Sequence, residues 1–430
     1  MGAAGSLEDE IAMTSTTSPA SADTAPEPRA AHFGLAVLAL AVGGSAIDTT
    51  EFVPLGLLPQ IAEGVDVSVP TAGHLVSSYA IGVVVGVPLL SFFGARLPRR
   101  GLLVGLMTAY AVFNVLSAIA PGFAVLAAAR FLDGLPHGAY FGVASLVAAN
   151  MAPPGRRGRA IAAVMLGLSF ANVIGVPAAT WIGQNLGWRT AYVTASLLAV
   201  AAVLMVLAFV PSVPGDPEAT GRREASTFFR NRQVWLTMAA GAVGFGGLFA
   251  VYSYIAPTVT DVAMLGEGTV PVFLLAFGLG MVAGTWLAGE TAAWSVMGSL
   301  VGSGVATVAV LIAFWAIAPY GWWLLPIVFL ITAIGSVMVV NLQLRLMDVA
   351  GDAVTLGAAM NHAALNVANA LGAWLGGLVI AVGYGYRAPA LVGAALSLVG
   401  IAILLWSTAL QRTTDAVDAA NAVHSDASTS

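Results

Sequence analysis

Long apolar stretches recur through almost the whole of this chain, and they limit what it can fold into. Windows of about 20 apolar residues are long enough to cross a bilayer as a helix. The sequence contains twelve of them, at 33–58, 70–94, 101–120, 123–150, 160–183, 190–210, 234–258, 269–289, 294–318, 322–346, 354–382 and 388–410. Only 9% of the residues are charged, against about 25% in an average soluble domain. The sequence therefore predicts an all-α membrane protein with twelve transmembrane helices.

Several classes of function are excluded by the residues that the chain lacks. It contains no cysteine, which excludes disulfides, a thiol nucleophile and a thiolate metal site. Its histidines are widely separated and predict no metal site. The sequence shows no phosphate-binding glycine motif and no nucleophile–base set. We therefore expect a protein that is not an enzyme, has no catalytic residues, cofactor or nucleic-acid partner, and draws on an ion gradient, most simply of protons.

The distribution of arginine predicts the orientation. Lysine is absent, so 16 arginines carry all the fixed positive charge. With both termini in the cytoplasm, only Arg189 and Arg387 face outward and Arg130 lies within a span, while the others fall on the inner side. Cytoplasmic loops of membrane proteins carry the excess of basic residues. We therefore predict a multi-pass protein of the cell membrane with both termini inside.

An internal duplication divides the predicted spans into two sets of six. SYAIGVVVG at 78–86 resembles AFGLGMVAG at 276–284, FANVIG at 170–175 resembles VANALG at 367–372, and GWR at 187–189 resembles GYR at 385–387, with offsets of 197 or 198 residues. Such parallel repeats are typical of one large class of transporters. The predicted boundaries are a disordered tail at 1–31, six-helix halves at 32–210 and 233–410, a cytoplasmic loop at 211–232, and a second tail at 411–430.

Two acidic residues lie inside the first apolar stretch. Asp48 and Glu51 are three residues apart, which places both on one face of a helix. A carboxylate in hydrocarbon is costly unless it faces protein or water, and an ionisable residue inside a span marks a functional site by default. The alternative is that both lie near the outer end of the helix in contact with headgroup water. The functional interpretation makes them proton-binding residues.

The fourth span carries a row of ionisable side chains. Arg130 and Asp133 are separated by three residues, and Asp133 and His137 by four, so all three share one helix face. Arginine keeps its proton, so it needs an anionic partner in a membrane, and Asp133 is the nearest candidate. Asp48 or Glu51 competes for it in a coupling mechanism, in which protonation of a carboxylate changes the packing of the two halves. The alternative is a static Arg130–Asp133 pair that only orders the bundle.

Polar amides and aromatic side chains predict a binding site for an uncharged ligand. His362, Asn366 and Asn369 form one stripe along the eleventh span. The alternative for this stripe is hydrogen bonding between helices, and the alternative for the aromatic residues of the seventh span is a place in the core or in an interfacial belt. The residues predicted to line the substrate site are His137, Asn172, Phe249, Tyr252, His362, Asn366 and Asn369.

From residue 36 to residue 408 the sequence resembles the major facilitator superfamily, most closely its twelve-span drug:proton antiporter branch, which contains arabinose efflux and chloramphenicol resistance permeases. RFLDGLPHG in the fourth span is similar to the family motif of an arginine followed by glycines four and eight residues later, at Arg130, Gly134 and Gly138. The resemblance implies a role for this arginine in proton coupling. A first-span acid is also a family feature, and Asp48 and Glu51 occupy that region.

The fifth span resembles the antiporter motif of the same family. In GLSFANVIGVP the matching positions are Gly167, Gly175 and Pro177. The resemblance implies that they shape helix packing and seal the protein against leak. This motif favours export over uptake.

The predicted cytoplasmic gate departs from the family pattern. The loop after the second span, GARLPRRG, has Gly94, Arg96, Arg99 and Arg100 but no aspartate, and the corresponding GETAAWS after the eighth span has no basic residue. We therefore expect a gate that closes by packing or through Glu290.

Together these features predict a monomeric, proton-driven exporter of a small, largely uncharged organic molecule, drug or sugar-like. It works by alternating access around a cavity lined by spans one, four, five, seven, ten and eleven. Its expected partners are this solute, protons and the lipid bilayer. Two alternatives remain open from the sequence: a proton symporter for uptake with the same fold, and a sensor or scaffold on a carrier fold that does not transport.

Overall fold

The chain forms a bundle of long helices. A computed structural model describes residues 30–94, 97–153, 157–212, 228–351 and 354–428, and within these ranges the structure contains helices and connecting turns but no strand. The long helices are α1 (Ala30–Gly56), α2 (Val69–Gly94), α3 (Arg99–Ala118), α4 (Phe123–Met151), α5 (Arg157–Phe170 and Val176–Leu186), α6 (Arg189–Phe209), α7 (Arg232–Gly244 and Gly246–Tyr252), α8 (Val270–Trp294), α9 (Val296–Ile317), α10 (Leu324–Val349), α11 (Val354–Val379) and α12 (Ala388–Ser428).

These helices correspond to the predicted spans. Lipid offers the backbone no hydrogen-bond partner, so an apolar stretch crosses the membrane as a helix, which satisfies its backbone hydrogen bonds internally. Ten stretches of the described chain are long and apolar enough to cross a membrane, and one of them, Val296–Val349, contains both α9 and α10. α4 is not among the ten, and it carries the polar side chains Arg130, Asp133 and His137. Counting α9 and α10 separately and adding α4 gives the twelve predicted helices, so the predicted fold class is confirmed.

The break between the eighth and ninth spans is shorter than the sequence predicts. Helix α8 continues through most of the GETAAWS segment, and Ser295 alone separates it from α9. The Ser295 hydroxyl oxygen accepts a hydrogen bond from the backbone N–H of Gly298 at 3.0 Å, which is the usual way to satisfy a free donor at a helix start. Glu290 therefore lies on a helix and not in a loop.

Glycines bring pairs of helices into backbone contact. A Cβ atom added at Gly82 or Gly86 of α2 would overlap backbone atoms of α4, and one added at Gly280 or Gly284 of α8 would overlap backbone atoms of α10. These glycines are 198 residues apart in the two halves. The duplication is therefore visible in the packing as well as in the sequence.

Replacing Gly284 by alanine is expected to lower the stability of the bundle. The added methyl group has no room beside the carbonyl oxygen of Ala333, and overpacking of this kind costs about 1–3 kcal/mol. The midpoint of thermal unfolding in detergent measures the effect. Gly289→Ala on the same helix is the matched control, because no atom lies within 4 Å of its added Cβ. Equal midpoints for the two variants would contradict the assignment of Gly284 to the contact.

Two large apolar cores follow the two sets of helices. One contains Leu40, Tyr110 and Tyr140 of the first set. The other is built on α7–α12 but includes Phe52 and Val76 of the first set, so α1 and α2 also pack across the bundle. The exact domain boundaries stay a prediction. Residues 1–29, 213–227 and 429–430 lie outside the described residues, and helix α12 continues beyond the predicted boundary at 410 to Ser428.

Side-chain hydrogen bonds join the two halves at the end of the bundle that carries the α1–α2 and α7–α8 connections. Gln60 Nε2 donates to Glu267 Oε2 at 3.0 Å, and Gln184 Nε2 donates to the backbone oxygen of Glu267 at 3.0 Å. Deeper in the bundle, the Ser77 hydroxyl of α2 donates to the backbone oxygen of Ala370 of α11 at 3.0 Å. The halves are therefore held together at this end, on the side that the arginine distribution predicts to be external.

Replacing Gln60 and Gln184 together by alanine is expected to open this end more often. Each exposed hydrogen bond contributes about 0.5–1.5 kcal/mol, so the open population should rise about fivefold or more. The chain has no cysteine, so Val76→Cys, buried between the halves, reports opening through its rate of alkylation by an impermeant maleimide.

The matched control for this experiment is Asn185→Ala. Asn185 is also exposed, but its side chain bonds the backbone oxygen of Trp181 within its own helix. We expect the alkylation rate of the control to equal that of the parent. A double variant that is alkylated no faster than the control would refute the proposed role of the two glutamines.

Candidate functional site

The two acids of α1 are buried in the bundle. Asp48 is 4% exposed and Glu51 is 5% exposed, so in this structure neither lies in headgroup water. Although their spacing places them on one face of α1, they contact different helices. Asp48 turns towards α5, and Glu51 turns towards α4 and α11.

Asp48 is bonded within the first half. The amide nitrogen of Asn172 donates both to Asp48 Oδ2 and to the backbone oxygen of Leu168. Asn172 belongs to the π turn Ala171–Gly175 that joins the two segments of α5. Pro177 follows this turn and has no N–H to continue the regular helical pattern, and π turns of this kind are frequent at functional sites. The local irregularity thus places Asn172 beside Asp48.

Glu51 is bonded across the two halves. Its Oε1 accepts a hydrogen bond from Asn369 Nδ2 of α11 at 3.4 Å, and its Oε2 lies 3.5 Å from Nδ1 of His137 of α4. The same His137 nitrogen lies 2.9 Å from the hydroxyl oxygen of Tyr79 of α2. Glu51 therefore contacts helices of both halves, and Nδ1 of His137 lies close to both Glu51 and Tyr79.

The two asparagines that contact the acids occupy equivalent positions of the duplication. Asn172 and Asn369 are 197 residues apart, and each donates its side-chain N–H to one acid of α1. The first of these bonds stays inside one half, and the second joins the halves. The internal repeat therefore places two similar donors beside α1, but only Glu51 accepts a hydrogen bond from the second half.

Arg130 is fully buried, and several neighbouring groups compensate its positive charge. Its Nη1 donates to Asp133 Oδ2 at 2.7 Å, and its Nη2 donates to the backbone oxygen of Thr50 at 3.2 Å. Its guanidinium carbon lies 4.2 Å from the ring centre of Tyr79 and 5.7 Å from that of Tyr192, distances at which an aromatic face attracts a cation. Arg130 thus reaches α1 through a backbone oxygen that lies between the two acids.

Asp133 also has a second partner. Asn114 Nδ2 of α3 donates to Asp133 Oδ1 at 2.7 Å. Each carboxylate oxygen of Asp133 therefore accepts one hydrogen bond, and the ion pair is fixed by a neighbouring helix. In the described part of the chain, Arg130 makes no ion pair with Asp48 or Glu51.

Aromatic side chains cover the acids on the side of α7. Phe52 of α1 lies between Phe249 and Tyr252, with ring centres 6.4 and 5.7 Å away. Tyr252 stacks on Phe277 of α8 at 3.5 Å, and a small hollow of about 10 Å³ adjoins this pair. The expected central cavity is therefore closed here by aromatic rings.

The polar stripe of α11 lies at the contact with α4. The ring of His362 stacks on Phe141 with centres 6.3 Å apart, and Asn366 Nδ2 donates to the backbone oxygen of His362 at 3.0 Å. The amide oxygens of Asn172, Asn366 and Asn369 are buried and accept no hydrogen bond. Buried polar atoms normally have partners, so these oxygens are available to a ligand or to water.

The glycines of the two family motifs lie at close helix contacts. A Cβ atom added at Gly134, Gly138, Gly167 or Gly175 would overlap atoms of a neighbouring helix. The partners are the backbone of α2 for Gly134, Val87 of α2 for Gly138, and α1 for Gly167 and Gly175. Each of these positions therefore needs a residue without a side chain.

The structure brings no described gate residues together. Gly94 ends α2, Arg96 lies outside the described residues, and Arg100 donates to the backbone oxygen of Leu207 in its own half. Arg99 and the exposed Glu290 form no ion pair within the described ranges. No three His, Asp or Glu side chains of the described residues come close enough together to hold a metal ion.

Sequence reasoning missed four residues of this site: Tyr79, Asn114, Phe52 and Phe277. Each lies in a long apolar span, where an aromatic ring or a single amide looks like an ordinary core residue. No i, i+3 or i, i+4 spacing connects Tyr79, Asn114 or Phe277 to a charged group, and only the packing of α2, α3 and α8 brings these three residues to the acids and to Arg130. Phe52 lies four residues after Asp48 on α1, but a phenylalanine in an apolar span gives no functional signal.

Comparison with known proteins agrees with the helical arrangement. A family model described as Major Facilitator Superfamily matches residues 38–361. The inner membrane transport protein YdhP of Escherichia coli strain K12 is 38% identical over 387 residues, which cover 90% of this chain and 98% of YdhP. The chloramphenicol resistance protein of Streptomyces lividans is 34% identical over 342 residues, covering 77% of this chain and 86% of that protein.

A solved structure has the same fold. The bacterial homolog of the human lysosomal transporter Spinster, in an inward-facing and unoccupied conformation, superposes with a TM-score of 0.67 at 13% identity, over 89% of this chain and 98% of the other. The family model and the name of YdhP indicate a carrier, so the chain is a membrane transporter and not an enzyme. The predicted resemblance is confirmed: the chain belongs to the major facilitator superfamily.

Proposed function

We propose that this chain exports a small, largely uncharged organic solute in exchange for protons, by alternating access of the two halves. The observation that carries the proposal is the position of Glu51, a buried carboxylate with hydrogen-bonding neighbours on helices of both halves. A proton on this group changes a contact that the two halves must break in order to move.

The proton acts through the charge of Glu51. As a carboxylate, Glu51 accepts a charge-assisted hydrogen bond from Asn369, which is roughly twice as strong as a neutral one. Protonation removes the charge and weakens this link between α1 and α11. The weakened link favours the opposite conformational state, and release of the proton on the other side of the membrane restores the link.

Neutral His137 is a hydrogen-bond neighbour for Glu51 in both protonation states of the acid. Its Nδ1 lies within 3.5 Å of Glu51 and 2.9 Å of Tyr79. When Glu51 is ionised, a proton on Nδ1 is donated to it; when Glu51 holds the proton, its O–H donates and Nδ1 accepts. A neutral histidine allows both arrangements because it has two tautomers: the ring proton is on Nδ1 in the first arrangement and on Nε2 in the second.

An uncharged solute fits the polarity of the region around the acids. The buried amide oxygens of Asn172, Asn366 and Asn369 accept hydrogen bonds, and Phe249 and Tyr252 offer aromatic faces. A site with a few directed polar groups and apolar walls suits a drug-like or sugar-like molecule.

The direction of transport is supported by the fifth-span resemblance to antiporters and by the resistance named for the Streptomyces lividans relative. The proposed orientation, with both termini in the cytoplasm of the cell, rests on the distribution of arginine. We propose that the monomer is the functional unit because each half supplies one side of the same site.

Proton flux in liposomes tests the proposal. A growth-inhibition panel of antibiotics, sugars and nucleosides, on cells with and without the gene, identifies a substrate. Purified protein is then reconstituted with a pH-sensitive dye inside the vesicles. Antiport predicts proton flux opposite to the substrate. Flux in the same direction would establish symport, and substrate movement without protons, or no movement of any hit, would refute the proposal.

A further inference from the structure

Two apolar grooves open beside the third and ninth helices. The first has a volume of about 520 Å³ and lies among α2, α3 and α4, where Gly101, Gly105 and Ala109 line its floor. The second has a volume of about 420 Å³ and lies among α8, α9 and α10, where Gly298, Gly302 and Ala306 take the same places. The residues of the two floors are 197 positions apart, so the duplication has produced the groove twice.

The first groove faces the bilayer. A Cβ atom added at Gly101 or Gly105 meets no other atom within 4 Å. Leu97 lines the groove and is 50% exposed. An apolar hollow that opens into hydrocarbon is filled by hydrocarbon, so its natural occupant is an acyl chain. We call this hollow among α2, α3 and α4 the basic groove, because Arg99 and Arg100 lie at its rim.

The rims of the two grooves differ in charge. Arg99 and Arg100 stand in the first turn of α3, between two residues that line the first groove, Pro98 and Gly101. The positions 197 residues later, in the first turn of α9, are Val296 and Met297. The two halves have therefore kept the same hollow but only one of them has a basic rim.

The guanidinium groups of the rim are suited to a phosphate. Arg100 donates to the backbone oxygen of Leu207, and Arg99 has no hydrogen-bond or ion-pair partner among the described residues. Arginine presents several N–H groups in a planar fork that matches phosphate oxygens. A basic residue near the membrane surface also attracts anionic lipids.

We propose that the basic groove binds an anionic phospholipid, with an acyl chain along Gly101 and Gly105 and the headgroup phosphate at Arg99 and Arg100. The second groove takes acyl chains without selecting the headgroup. This site is separate from the acids of α1 and from the transported solute, so it does not depend on the proposed function.

Native mass spectrometry of the purified full chain tests this site. The protein is exchanged into detergent containing equal amounts of phosphatidylglycerol and phosphatidylcholine, and the bound lipids are counted. We expect about one phosphatidylglycerol per chain, retained about tenfold better than phosphatidylcholine. Equal retention of the two lipids by the parent protein would overturn the proposal.

Two sets of variants separate the groove from its rim. Gly105→Leu fills the basic groove, and Gly302→Leu is its matched control in the second groove, because neither added Cβ meets an atom within 4 Å. Arg99→Gln with Arg100→Gln removes the charge and leaves the hollow. We expect loss of bound phosphatidylglycerol in Gly105→Leu, loss of the headgroup preference in the double arginine variant, and no change in Gly302→Leu.

The remaining outcomes contradict the site. Undiminished phosphatidylglycerol in Gly105→Leu, an equal loss in Gly302→Leu, or an unchanged preference without the arginines would each refute it. Size-exclusion chromatography of every variant confirms a folded protein. The double arginine variant changes only residues at the surface, at the start of α3. It therefore still tests the site if a leucine variant does not fold.

Discussion

Replacing Glu51 by glutamine is expected to remove most of the proton-driven transport. Glutamine has the size of the protonated acid and still accepts a hydrogen bond from Asn369, but it cannot release a proton. The variant should therefore resemble a carrier locked in its proton-loaded state. Coupling between two sites is worth about 1–3 kcal/mol, so substrate-driven proton flux should fall about 10- to 100-fold. Exchange of labelled for unlabelled substrate, which needs no net proton movement, should continue.

Asp48→Asn is the comparison variant for this experiment. It removes the same charge from the same helix, but the bond that it changes, to Asn172, stays within the first half. We expect a smaller loss of coupled flux in this variant. Proton flux and substrate exchange are measured side by side in the same liposomes. Normal coupled flux in Glu51→Gln would refute the role of Glu51, and equal losses in the two variants would refute its distinction from Asp48.

The two repeat-related asparagines provide a matched pair for the same question. Asn369→Leu removes the donor that joins Glu51 to the second half, and Asn172→Leu removes the equivalent donor inside the first half. We expect the first change to uncouple substrate from protons, and the second to leave coupling in place. Uncoupling by both changes to the same degree would show that the link between the halves is not the coupling element.

Most of the helices were predictable from the sequence because apolar stretches of bilayer length cross lipid as helices. The error at the end of α8 has a physical reason. GETAAW is polar enough to resemble a loop, but Glu290, Ala292 and Ala293 favour a helix. Helix α8 ends only at Ser295, which has an extended backbone and whose hydroxyl caps the start of α9. Local composition therefore predicts which stretch of the chain crosses the membrane better than it predicts the last residue of the helix.

The partners of the charged groups were only partly predictable. The contact between Arg130 and Asp133 follows from a spacing of three residues and appears in the structure. The contacts of Asp48 and Glu51 do not follow from spacing, because they depend on the rotation of α1 relative to α5 and α11 and on the π turn at Ala171–Gly175. The repeat predicts that Asn172 and Asn369 occupy equivalent positions, but it does not indicate which acid each one contacts.

Replacing Arg130 alone is expected to destabilise the protein strongly. Arg130→Gln leaves Asp133 as a buried carboxylate that has lost its cationic partner, and breaking one side of a buried pair costs about 3–5 kcal/mol. Asp133→Asn is expected to have a similar effect, because it leaves the arginine with only the Thr50 backbone oxygen and the rings of Tyr79 and Tyr192 as partners. Thermal unfolding in detergent and the yield of monodisperse protein measure both losses.

The double variant Arg130→Gln with Asp133→Asn separates a structural role from a coupling role. Removal of both charges leaves neutral groups that hydrogen-bond each other, and replacing a whole buried pair is often neutral or stabilising. We therefore expect the double variant to recover most of the lost stability. If the pair only orders the bundle, transport returns together with the fold. If Arg130 responds to the charge of the α1 acids through its bond to Thr50, the stable double variant still exchanges substrate but does not couple it to protons. Recovery of coupled flux to the parent level would therefore refute a coupling role for Arg130 and leave Glu51, His137 and Asn369 as the coupling residues.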